Sequence, residues 1–267
     1  MIDQDDFDYD PPVTRIQQNQ QNKVQMGNQI LKEAEQYLEE ISADEHAFLI
    51  KTLLGLAEQE PYFQVLAEEL DQPIGAKVAN DALNLMHFWP AIHQFEDLEQ
   101  FNLLDIINSE HFQTQMLKAF DALDIDENIK AKRRLVLLES FKMYKLGFYS
   151  GCIPNVYAQL EGILTDVLIE AGFLKQNATR FVDLYKIVPG LKGNEIKSLW
   201  HKSKIATEMN PYFAELAAYK KDSSSTVSMT RHNILHGTDL NHFNQGRSFV
   251  LFIWLFSALS FMGTLKY

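Results

Sequence analysis

Within nine positions of the stretch SMTRHNILHGTDL, residues 228–240, the chain places one arginine, two histidines and one aspartate. On a helix, Arg231 and His236 are separated by roughly 7.5 Å of rise and about 140° of rotation. They do not share a stripe, yet an arginine side chain is long enough to swing toward the histidine. His232 and His236, four apart, do share a face. Gly237 is expected to end the helix, which leaves His236 in the last turn, where the helix dipole favours a charged imidazolium. Ser228 or Thr230 can cap the start.

This set of groups suits RNA cleavage. A ribose 2′-hydroxyl must lose a proton as it attacks the adjacent phosphorus, and an imidazole titrating near neutrality can accept it. Negative charge then grows on the phosphoryl oxygens, where a guanidinium offers two parallel donors. The substrate supplies its own nucleophile, so neither a metal nor a cofactor is called for. Two other readings stand beside this one. The arginine and histidine could only cap carbonyls or hold a subunit contact. Alternatively His232, His236 and Asp239 could supply three metal ligands, although Gly237 interrupts the helix before Asp239 and no cysteine is nearby.

The elements that must position this stretch read as helical. Residues 1–22 mix acidic residues, Pro11-Pro12 and a Gln/Asn-rich run, too little to bury, and predict a disordered tail. From Val24, apolar residues recur at three- and four-residue steps: Ile30, Ala34, Tyr37, Leu38 and Ile41. Ser42 with Glu45 predicts a capping box for a helix that stops before Pro61. Further helical stretches are predicted near 62–71, 75–88, 97–107 and 109–122, with Pro73 and Pro90 as breakers. The segment LDIDENIKAKRRL opens like a calcium loop with Asp124, Asp126 and Asn128. Ile129 stands where such a loop needs glycine, and Leu135 where it needs glutamate, so acidic residues at a helix start fit better. Helices then follow over 131–149, over 154–172 with Pro154 in the first turn and Gly172 as the C-cap, and over 194–206 and 211–221. A last helix from Asn244 to Met262 is apolar almost all round, which predicts burial.

The fold class expected is all-α, and the bulk numbers agree. With 46% hydrophobic residues, 18 Phe and only 12 Gly and 8 Pro, the chain can build a core and shows few alternating strand-like runs. Its net charge of −12 hides a division. Residues 1–130 carry 7 Lys+Arg against 26 Asp+Glu, whereas residues 131–267 carry 17 against 10. The second half could approach a polyanion, and the first would repel one. The charge turns over near residue 129, where a boundary is expected between an acidic helical domain (23–128) and a second helical domain (129–267). The single cysteine, Cys152, reads as a small buried hydrophobe and suggests a reducing compartment. The acidic N-terminus lacks the pattern of a secretory signal, and the run 249–262 falls short of the roughly 20 residues that span a bilayer, so a cytoplasmic protein with no membrane partner is expected. The glycine-rich signatures of nucleotide hydrolysis, dinucleotide binding and serine esterases are missing.

The order of a long helix, a helix carrying QLEGIL, a variable region, RHNILHG and an apolar terminal helix resembles the HEPN superfamily. Its mark is an arginine, four to six residues, then a histidine, here Arg231 and His236. His232 fits the polar position after the arginine, and Gly237 and the Ile234-Leu235 pair fit the form seen in abortive-infection and toxin-type members. The resemblance covers about residues 131–267. It implies an up-and-down helical bundle that dimerises so that two motifs face one cleft. It also implies metal-independent endoribonuclease activity leaving a 2′,3′-cyclic phosphate, in phage defence or a toxin–antitoxin system. By carry-over, His236 is the general base or acid, Arg231 the phosphate clamp and His232 a supporting group. Glu161, in QLEGIL, could orient a catalytic side chain or form a surface salt bridge, and Asn233 could contact substrate or be merely solvated. Partners implied are RNA, a second copy of the chain, and an antitoxin or other regulator. Some members of the superfamily only bind nucleotides or proteins, which makes a non-catalytic binding module the alternative. Lys202, Lys204, Lys220 and Lys221 could track a phosphate backbone or form a solvated face, and His87 and His93 are expected beside aromatic residues.

Overall fold

The computed structural model describes residues 42–71, 102–170 and 240–262. Helix accounts for 81% of these, and no strand occurs among them, so the chain is all-α. Helix α1 (Ala43–Leu56) starts at the expected capping box: Ser42 Oγ accepts from the Glu45 N–H at 3.2 Å, and the Glu45 carboxylate accepts from the Ser42 N–H at 2.9 Å. After a corner at Glu60-Pro61, α2 (Tyr62–Leu70) packs back on α1. A 3₁₀ helix (Leu103–Asn108) leads into α3 (Glu110–Asp121), which Ser109 caps.

Asp126 caps α4 (Glu127–Lys145), accepting the N–H groups of Asn128 and Ile129 at 3.0 Å each. The acidic run at 124–128 therefore serves a helix start. Helix α4 ends at Lys145, earlier than the spacing predicts, because Gly147 adopts φ 75° and the chain closes in a Schellman turn. Phe148 N–H donates to the Met143 carbonyl at 2.8 Å and Gly147 N–H to that of Tyr144 at 3.0 Å. Helix α5 (Tyr149–Glu170) starts five residues before Pro154, which lies inside it rather than in its first turn. The proline removes one hydrogen bond near the helix start, a loss that burial of Cys152, Ile153, Val156 and Tyr157 outweighs.

Helix α6 (Gln245–Met262) is buried on every described side, from Phe249 through Leu255 and on to Met262. It packs along α5, which packs in turn along α4; α3 and the 3₁₀ helix close the far side of α6. Aromatic rings fill the seam: Phe141 stacks on Phe252 with centroids 5.0 Å apart, and Phe112 meets Phe256 edge-on at 5.3 Å. Tyr144 donates its hydroxyl to the Leu104 carbonyl at 2.6 Å, pinning α4 to the 3₁₀ helix. Elements from both sides of residue 128 contribute to this one buried cluster.

Candidate functional site

Arg231, His232, Asn233 and His236 lie outside the described residues, as do Asp239, His87, His93 and Lys202, Lys204, Lys220 and Lys221. What the structure describes is the frame on either side of the motif. Four residues after His236 the described chain resumes at exposed Leu240. Five residues later α6 begins at Gln245. Glu161, the one predicted site residue within the described chain, sits half-buried on α5.

Beside Glu161, α5 holds a polar cluster that the residue types alone did not reveal. Arg133 of α4 lies across Gly162, donates from Nε to Asp166, and reaches Gln159 Oε1 from Nη1 at 3.2 Å. Gln159, Gly162 and Asp166 follow one another at three- and four-residue steps and form one stripe of α5. The side chains of Arg133 and Asp166 are 20% and 11% exposed, so the pair is shielded far more than a surface ion pair. A side chain at 162 would collide with the guanidinium. The QLEGIL segment thus carries a seat for Arg133 as well as Glu161.

A second polar contact holds the start of α6. Arg247 and Glu60 are both fully buried, with Nε and Oε2 2.8 Å apart. Glu60 Oε1 also accepts the Tyr62 N–H at 3.2 Å. Asn244 caps α6 by accepting the Arg247 N–H at 2.8 Å, and its amide donates to the Gln59 carbonyl at 3.1 Å. Burial pushes the Glu60 carboxyl above the ordinary carboxylate range, while Arg247, the Tyr62 N–H and His242 pull it part of the way back. The signal for this contact was present: Arg247 is the sole charge in QGRSFVLFIWLFSALSFM, and a charge entering an apolar helix needs a partner.

Cys152 is fully buried, donates weakly to the Ser140 carbonyl at 3.5 Å, and burial pushes its thiol up to about 12. That is the environment of an inert structural cysteine rather than a nucleophile. Among the described residues no three metal-ligating side chains converge, and no helix is long and apolar enough to cross a membrane.

The chain matches no family model, no curated protein and no solved structure. Its functional reading therefore rests on the motif and on the chemistry of the frame around it.

Proposed function

We propose that the chain is a metal-independent endoribonuclease of the HEPN type, acting in the cytoplasm as a homodimer in phage defence or a toxin–antitoxin system. The observation that carries this reading is the Arg231–His236 spacing, closed by Gly237 and followed nine residues after His236 by a largely apolar helix buried from Gly246 through Phe256. The all-α architecture and the packing of α5 between α4 and α6 are what a helical bundle of that kind needs.

In this mechanism His236 takes the proton from the ribose 2′-hydroxyl, or returns one to the leaving 5′-oxygen. Arg231 binds the non-bridging phosphoryl oxygens and grips them harder as charge accumulates in the transition state. His232 and Asn233 are assigned supporting contacts to substrate, and Glu161 the orientation of a catalytic side chain. The test is purified protein with total RNA, with and without EDTA, followed by analysis of the ends. Cleavage that persists in EDTA, leaves 2′,3′-cyclic phosphates and disappears in His236→Ala is expected. Loss of cleavage with the chelator, or its survival in His236→Ala, removes the assignment. Nucleotide or protein binding without cleavage would place the chain among non-catalytic binding modules instead.

A further inference from the structure

A helix normally takes its rotation about its own axis from an apolar stripe that must face the core. Helix α6 has no such stripe. Phe249, Val250, Leu251, Phe252, Ile253, Trp254 and Leu255 are consecutive, cover every direction around the axis, and are all buried. Apolar burial alone would therefore be nearly satisfied in several rotations. Specific polar contacts have to select one.

Those contacts are in the first turn: Gln245 meets Tyr144 of α4 and Ser248 meets Cys152 of α5, while among the described residues the contacts that hold a buried charge come from the α1–α2 corner. Glu60 meets Arg247, and the Gln59 carbonyl meets the Asn244 amide. Gly246 lets the corner approach closely: a Cβ there would lie 3.1 Å from the Phe63 ring and 3.2 Å from Glu60 Cβ. The Phe63 ring also meets Phe249 with centroids 5.8 Å apart. A buried ion pair adds little net stability over a well-packed apolar pair, because desolvation offsets most of the attraction. It does impose direction, because a rotation that carried Arg247 away from Glu60 would leave buried charge uncompensated, a loss far larger than the net worth of the pair.

We propose that Glu60 and Arg247 are positioning residues: their buried contact fixes the rotation of α6, the helix that follows the Arg231–His236 segment in the chain. The proposal rests on the nuclease reading for its catalytic arm alone.

The experiment uses the full chain and compares wild type with Glu60→Leu/Arg247→Met, Arg247→Lys and Asn244→Ala. Hydrogen exchange is read over residues 240–250, and kcat and KM for RNA cleavage are read separately. The apolar pair is expected to keep wild-type helix content by circular dichroism. Its exchange over 240–250 rises about tenfold or more, and kcat falls about tenfold while KM stays within about twofold. Arg247→Lys, which keeps the charge, restores at least about half of kcat. Asn244→Ala leaves the buried pair in place and shifts both readouts in the same direction by less, and it decides the matter if the apolar pair does not fold. Wild-type exchange in both the apolar pair and Asn244→Ala overturns the proposal, as does raised exchange with unchanged kcat. If wild type cleaves no RNA, the nuclease reading fails separately and exchange alone decides the role of the corner.

Discussion

Arg133 crosses α5 at the one position in its path without a side chain, and both ends of that arrangement can be tested by substitution. Gly162→Ala brings a methyl against a guanidinium that Asp166 and Gln159 hold in place, so it cannot swing away freely. Overpacking of this kind costs about 1–3 kcal/mol, against about 1 kcal/mol of helix propensity returned by alanine. A net loss of about 1 kcal/mol in urea unfolding is expected in wild type. In an Arg133→Ala background the collision is gone, and the same Gly162→Ala change should become stabilising; equal losses in both backgrounds would deny the seat. Cys152 gives a second residue-scale outcome. With its thiol raised from 9.0 to about 12, its thiolate fraction near pH 8 falls about a thousandfold, and the atom is also shielded from reagent. Native protein should resist thiol-specific labelling, and modification should follow unfolding.

Caps and turns decided where α1, α3 and α4 start and where α4 stops, and here the residue types were most informative. Ser42 and Glu45 announce their box, and the acidic run before α4 resolves into a cap at Asp126. Replacing Asp126 with Ala orphans two N–H groups and should lower stability by about 1 kcal/mol, with no change in helix count by circular dichroism. The start of α5 was not legible, because Pro154 favours a helix start locally while tertiary burial of Cys152 and Ile153 carries the helix five residues further back. The end of α4 was only half legible: Gly147 signals a stop, but its left-handed conformation shortens the helix to Lys145. The seat for Arg133 escaped for another reason. Its four residues are 33 positions apart at the widest, and nothing local ties an arginine on one helix to an aspartate on another.

At the scale of the molecule, the all-α class and the burial of the final helix could be read from the apolar spacing, and both stand in the structure. Less legible was the way the acidic half meets the rest. Charge counts separate the two halves, whereas packing brings α2 and α6 together around Glu60 and Arg247. That contact makes stability respond to pH with a definite sign. The folded Glu60 carboxyl is held above its ordinary 4.5, so its contribution is complete below that value and is lost as pH rises through the folded pKa. Wild type should therefore lose stability relative to Glu60→Gln as pH rises above the ordinary carboxylate range, measured as the difference in urea midpoints; a flat or opposite trend would contradict the burial of this group. Trp254 meets Tyr62 edge-on at 5.5 Å across the same seam and is 3% exposed. That ring pair provides the protein with a built-in optical gauge: withdrawal of α1 and α2 from α6 would admit water to the indole and redden its emission while the rest of the bundle stayed intact.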